Sequence, residues 1–140
     1  MNEQELKQFL DDMNKLLPQL SKNAKPLTLE SLRTLLRDRH TCIVRLRHPT
    51  NGVVGMGCLC IYQTPLCIRA RIEDVVVDEK HRRRGLGKKI IGMLIGKAKE
   101  LGVKYIDLTS HPSREAANKM YEKLGFIKRE TNVYRLVFKK

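Results

Sequence analysis

The stretch from Ile72 to Lys88 (Ile-Glu-Asp-Val-Val-Val-Asp-Glu-Lys-His-Arg-Arg-Arg-Gly-Leu-Gly-Lys) constrains the fold more than any other part of the chain. Its apolar run Val75-Val76-Val77 reads as a strand buried on both faces, as in the middle of a sheet covered by helices. Past Gly85, Leu86, Ile90, Leu94, Ile95, Ala98 and Leu101 recur at helical spacing, and Gly102 stands where a helix C-terminus wants glycine. A buried strand that turns through glycines into an amphipathic helix predicts a layered α/β domain.

The flanking sequence extends this reading. Leu6, Phe9, Leu10, Met13, Leu16, Leu17 and Leu20 predict a first helix, and Thr28 is a good cap for a second carrying Leu29, Leu32, Leu35 and Leu36. The period then changes to that of strands: Thr41–Arg47 and Val53–Tyr62 are joined through the turn signal Asn51-Gly52, and Cys67–Val77 follows. Gly92 and Gly96, one helical turn apart, are expected to permit close backbone packing at some cost in helix propensity. Lys104–Thr109 reads as a short strand. Ala116, Ala117, Met120, Tyr121 and Leu124 mark a helix stopped at Gly125, and Phe126–Lys128 and Val133–Phe138 read as closing strands. The expected order is α-α-β-β-β-α-β-α-β-β in one domain, residues 1–140, without repeats or linkers.

The 140 residues carry 28 Lys plus Arg against 15 Asp plus Glu, a net charge of +13. Such an excess suits nucleic acid, an anionic membrane surface or a phosphorylated small ligand, and also a chain kept in solution by lysine-rich faces. The 41% of hydrophobic residues is enough for a core. No apolar run approaches the roughly 20 residues that span a bilayer, and the acidic start is not a secretory signal. Cys42, Cys58, Cys60 and Cys67 contain no C-x-x-C pair. Buried, reduced thiols without metal are expected, in keeping with a cytoplasmic location.

Six basic residues, Lys80, Arg82, Arg83, Arg84, Lys88 and Lys89, cluster around the glycine turn. Backbone N–H groups at a helix start point outward and carry partial positive charge, which makes an anion site suited to phosphate. Gly85 and Gly87 allow close approach. Two familiar phosphate loops do not fit. Ile90 stands where a dinucleotide loop needs Gly or Ala, and Lys89 follows Gly87-Lys88 where a P-loop needs Ser or Thr.

The pattern Arg82-x-x-Gly85-x-Gly87, with Val77 ending the strand before it, resembles the signature of the GNAT superfamily of acyl-CoA N-acyltransferases. The segment Ala117-Asn118-Lys119-Met120-Tyr121-Glu122-Lys123-Leu124-Gly125-Phe126 is similar to a second element of that family. The resemblance covers about residues 41 to 138 and the N-terminal helices more loosely. It implies a mixed, mostly antiparallel central sheet flanked by helices, here without the family's usual first strand. It further implies acetyl-CoA as co-substrate, no metal, and direct transfer of acetyl to a primary amine. Residues Val75, Val76 and Val77 would pair with the pantetheine arm, the loop Arg82, Arg83, Arg84, Gly85, Leu86, Gly87 and Lys88 would hold the pyrophosphate, and Asn118 would touch the cofactor arm. Tyr121 would stand near the sulfur as general acid. The Ile-Glu-Asp-Val-Val-Val run also resembles glucosamine-phosphate N-acetyltransferases, although Thr109 falls where their active-site carboxylate is expected.

An attacking ammonium must first lose its proton, and a carboxylate can take it. Glu73 is the candidate base, because a carboxylate in a buried strand is paired or faces a cleft; an ion pair with Arg69 or Arg71 is the competing expectation. Asp74, expected on the opposite face, and His111, in a loop, are secondary candidates. The acceptor is expected to be a small molecule, with a protein lysine or N-terminus as the alternative. A nucleic-acid-binding module and a CoA-binding domain without catalysis are the other classes; the 5% of aromatic residues and the absence of Trp disfavour the former. An unpaired sheet edge would allow a homodimer.

Overall fold

Asn2 opens the first helix, α1 (Glu3–Leu20), with a reciprocal cap in which its side chain accepts from the Glu5 amide and Glu5 accepts from its own. Leu6, Phe9, Met13 and Leu16 form the buried stripe of α1. Thr28 caps α2 (Leu29–Arg37) as its sequence position suggests, accepting from the Ser31 amide at 3.1 Å, and Leu32 is the buried anchor of that helix. Burial of a Leu or Phe side chain is worth roughly 1.5–3 kcal/mol, so these stripes, more than propensity, hold both helices in place.

The sheet consists of β1 (Thr41–His48), β2 (Gly52–Gln63), β3 (Ile68–Val77) and β4 (Ile106–Asp107), in spatial order β1-β2-β3-β4. The first three strands are antiparallel to one another, and β4 runs parallel to β3. The Asn51-Gly52 turn, with Gly52 at φ 72°, closes the β1–β2 hairpin. A parallel neighbour requires a crossover. It is supplied by a single 3-10 turn (Glu79–His81) and α3 (Leu86–Glu100).

α1 and α2 pack on the sheet face that carries Ile43, Met56 and Val76. Strand alternation puts Gly55 and Gly57 on the other face, where Ile90 and Leu94 of α3 lie against them. The computed structural model describes residues 1–139, which form two units: Met1–Leu108, built as above, and the segment from Thr109 onward, whose one helix is α4 (Glu115–Lys123).

Several expectations need correction. The strands expected at Phe126–Lys128 and Val133–Phe138 do not form; neither segment has regular structure. A strand satisfies its backbone groups only beside another strand, and the second unit holds none among its described residues. The strand expected over Lys104–Thr109 contracts to Ile106–Asp107. On α3 the buried set is Ile90, Ile91, Leu94 and Ala98, whereas Leu101 is exposed. Gly92 and Gly96 do not mediate packing, since a Cβ on either would meet nothing within 4 Å. The close approach is made by Gly55 and Gly57 instead.

Candidate active site

β3 is irregular at its centre. Met56 pairs with Val76 and Cys58 with Glu73, so Gly57 alone faces both Asp74 and Val75. This bulge puts Asp74 in the left-handed region at φ 52°, which a short polar side chain tolerates. The bulge interrupts simple alternation at Asp74, the residue expected on the face opposite Glu73. Partial desolvation and then the Glu73 charge push the Asp74 carboxyl above its ordinary value.

The ladder between β3 and β4 ends early. Only Ala70 and Arg71 of β3 pair with Ile106 and Asp107, leaving Ile72–Val77 with a free edge on that side among the described residues. The edge leads directly into the 3-10 turn and the basic loop. Gly85 occupies the left-handed region at φ 74°, caps α3 and accepts its first intrahelical bond, from the Lys89 amide at 3.2 Å. The amides of Leu86, Gly87 and Lys88 precede that bond and have no acceptor within the helix. Gly87 keeps the approach clear; a Cβ there would meet only Val77 Cγ2, at 3.9 Å.

The loop arginines are not equivalent. Arg82 turns back so that its Nε donates to the Val77 carbonyl at 3.1 Å, and Arg84 Nη1 lies 3.2 Å from Nδ1 of the buried His81. Arg83 is itself at φ 66°. Two of the three guanidinium groups thus shape the loop, which leaves Arg83, Lys88 and the backbone amides as the outward-facing cationic set. Asp78, which begins the turn, was not singled out by the sequence. It is 3% exposed, and its carboxylate accepts from Gln19 Nε2 and the Lys80 amide and pairs with Lys15 at 3.5 Å. Gln19 Oε1 accepts from the Glu79 amide at 2.8 Å, so α1 clamps the start of the loop. Burial works to raise the Asp78 carboxyl, but the Lys80 amide, Gln19 and Lys15 hold it below the ordinary range.

Beyond the bulge, Glu73, Arg71 and Arg69 line one face of β3, opposite Cys58, Cys60 and Tyr62 of β2. The ion pair expected for Glu73 forms with Arg71 rather than Arg69: Arg71 Nε donates to Glu73 Oε1 at 2.9 Å, and the Glu73 side chain is 42% exposed. Arg69 instead bonds the Tyr105 hydroxyl and lies over the Tyr62 and Tyr105 rings, 5.2 and 5.7 Å from their centroids. The four thiols are free and half-buried, not fully buried as expected. Cys58 and Cys60 are 3.8 Å apart at sulfur.

In the second unit, Tyr121 lies on α4 with Phe126 edge-on at 5.9 Å between ring centroids. Asn118 Nδ2 donates to the His111 carbonyl at 3.2 Å, and His111 Nδ1 accepts from the Ser113 amide at 3.1 Å. Both residues therefore shape the turn that leads into α4.

A strand edge left open beside a glycine-capped helix start suits an extended ligand that ends in phosphates. The profile described as the acetyltransferase (GNAT) family matches residues 6–126, and the chain belongs to that family. It is 33% identical over 84 residues to the probable glucosamine 6-phosphate N-acetyltransferase 2 of Oryza sativa subsp. japonica, covering 58% of this chain and 49% of that protein. The chain thus spans about half the length of the curated relative it matches. Among solved structures, an acetyltransferase of Trypanosoma brucei aligns with TM-score 0.78 and 29% identity over 98% of this chain and 96% of that one. An aminoglycoside acetyltransferase from an uncultured soil metagenomic sample shares the fold at TM-score 0.82 and 21% identity, over 100% and 93% of the two chains. Among the described residues no group of three or more metal-ligating side chains occurs, and no helix is long and apolar enough to cross a membrane.

Proposed function

We propose that this chain acts as a single acetyltransferase domain that moves the acetyl group of acetyl-CoA directly to the primary amine of a small molecule in the cytoplasm. The observation that carries this reading is the free edge of β3 from Ile72 to Val77, running into the unbonded amides of Leu86, Gly87 and Lys88. An extended amide-bearing arm can pair with Val75–Val77 as an added strand does, and a pyrophosphate finds amides and cations at its end. Amino sugars are the favoured acceptors, since the printed names of similar proteins include glucosamine 6-phosphate and aminoglycoside acetyltransferases.

In this reading Glu73, parted from Arg71, takes a proton from the acceptor ammonium, whose ordinary pKa is about 10. The freed amine attacks the thioester carbonyl carbon, the C–N bond forms and the C–S bond breaks. Tyr121 gives its proton to the departing thiolate and regains one, through solvent, from the nitrogen as it becomes the amide, while the first proton passes from Glu73 to bulk water. Backbone amides at the bulge polarise the carbonyl oxygen.

A thermal-shift comparison of acetyl-CoA, CoA and duplex DNA tests the proposal. Stabilisation by both CoA ligands, lost in Gly87→Glu, is the expected result. Stabilisation by DNA with a steep salt dependence, and none by acetyl-CoA, would replace it with a nucleic-acid-binding reading.

A further inference from the structure

One face of β3 carries Arg69, Arg71 and Glu73 at alternate positions, so each stands about 7 Å from the next along the strand. In the reaction proposed above, the acceptor ammonium has to arrive at Glu73. Arg71 is already there: its Nε donates to Glu73 Oε1 at 2.9 Å. Two cations that share one carboxylate repel each other, so the guanidinium has to leave as the ammonium comes in. The bond that holds it is a single one. Arg71 has five N–H groups, and those on its two terminal nitrogens meet no protein acceptor among the described residues. They form the planar fork that grips a carboxylate or phosphate through two parallel bonds. Asp107, in register with Arg71 on β4, makes no ion pair with it among the described residues. Arg69, one step further along β3, bonds only the neutral Tyr105 hydroxyl and lies over the Tyr62 and Tyr105 rings, so its charge also attracts an anion that reaches Arg71.

We propose that Arg71 is a specificity-determining residue, selecting primary amines that also carry an anionic group, phosphate or carboxylate, about 7 Å from the nitrogen. The anion draws the Arg71 fork away from Glu73, and the ammonium takes the place left at the carboxylate. One ion pair is thereby exchanged for two, and Glu73 is released only when an acceptor of this class is present. An anion-free amine brings the second cation without the second anion, and meets the repulsion unrelieved. The inference rests on the assignment of Glu73 as base in the acetyltransferase reading, and adds to it the class of acceptor.

The test compares acceptors that differ by one anion, glucosamine with glucosamine 6-phosphate and pentylamine with 5-aminopentanoate, through thiol release from acetyl-CoA. The wild type is expected to favour the anionic member of at least one pair in kcat/KM by on the order of tenfold to a hundredfold. The pair with the larger ratio tells phosphate from carboxylate. In Arg71→Gln the preference is expected to vanish through loss on the anionic member, with the anion-free member acetylated at least as fast as by the wild type. Arg71→Lys should keep part of the preference, and the KM for acetyl-CoA should be unchanged in both variants. Equal turnover of both members of each pair by the wild type would show that Arg71 swings to Asp107 or to water unaided. A variant slowed equally on both members would show that Arg71 only supports the strand. Either result overturns the proposal and leaves the acetyltransferase reading in place. Should the variants not fold, the wild type carries the test: its preference should shrink as ionic strength rises from about 0.05 to about 0.5 M, and a preference indifferent to salt overturns the proposal. Absence of thiol release with every amine would instead remove the acetyltransferase reading, and this inference with it.

Discussion

The Cβ that Gly55 lacks would stand 2.6 Å from Cδ1 of Ile90, so β2 and α3 touch through a position where any larger residue obliges Ile90 to move. This contact determines how close the start of α3, and with it the Gly85–Lys88 loop, lies to the sheet. Gly55→Ala is therefore expected to cost about 1–3 kcal/mol by overpacking. Ile90→Val in the same chain should return part of that loss, because it removes the clashing methyl. Urea unfolding of the single and double variants reads both effects; equal stability of Gly55→Ala and wild type would show that the contact relaxes freely.

Asp12 is the other anchor of the α1 face. It is 4% exposed, and its oxygens accept from Arg45 at 2.7 Å, Arg47 at 2.6 Å and Gln8 at 3.0 Å, while Arg45 also lies 3.8 Å over the Phe9 ring. Burial tends to raise its carboxyl, but Arg47, Gln8 and Arg45 together hold it below the ordinary value of 3.8. Its folded pKa is thus depressed, so its stabilisation is fully present above 3.8 and is lost as the pH falls through the folded value. Asp12→Asn is expected to cost about 2–4 kcal/mol at neutral pH, less than a fully buried pair because Arg47 is 41% exposed. Urea midpoints measured from pH 7 down to about 2.5 should fall less steeply in the variant than in the wild type. Parallel curves would mean that Asp12 is not part of the acid transition.

Much of this was legible in the sequence. The helical stripes, the Asn51-Gly52 hairpin, the Thr28 cap and the strand–glycine–helix junction are local patterns, and local physics fixes them. What the sequence concealed depends on distant partners. Asp78 and Gln19 are ordinary polar residues until α1 crosses the turn. The bulge at Asp74 appears only when β3 is registered against Gly57. A glycine that matters for packing, such as Gly55, looks no different from Gly92, whose Cβ would meet open space. The closing strands were misplaced for the same reason: Val133–Phe138 has strand composition, but composition does not supply a neighbour.

Cys58 should be a poor nucleophile. Burial first, then the adjoining Cys60, push its thiol up to about 12. Alkylation by iodoacetamide at pH 8, followed by peptide mass spectrometry, is expected to be on the order of a hundredfold slower at Cys58 than at an unhindered peptide thiol. Its rate should keep rising with pH well beyond 9, where ordinary thiols level off. A rate that levels off near pH 9 would contradict the burial described for this site.

Glu73 and Tyr121 should separate in kinetics. Glu73→Gln is expected to lower kcat on the order of a hundredfold with the KM for acetyl-CoA little changed, and an acceptor already neutral at pH 7 should recover much of the loss. Tyr121→Phe is expected to lower kcat on the order of tenfold to a hundredfold for both kinds of acceptor. Recovery by the neutral amine in Tyr121→Phe but not in Glu73→Gln would reverse the two assignments.

The most direct test is thiol release from acetyl-CoA in the presence of a panel of amines, with the acetylated product identified by mass spectrometry. The expected result is release of CoA in equal amount to an N-acetylated small amine, strongest among amino sugars and absent in Gly87→Glu. Binding of acetyl-CoA with no thiol released for any amine, peptide amines included, would contradict the acetyltransferase reading and leave a domain that only binds the cofactor.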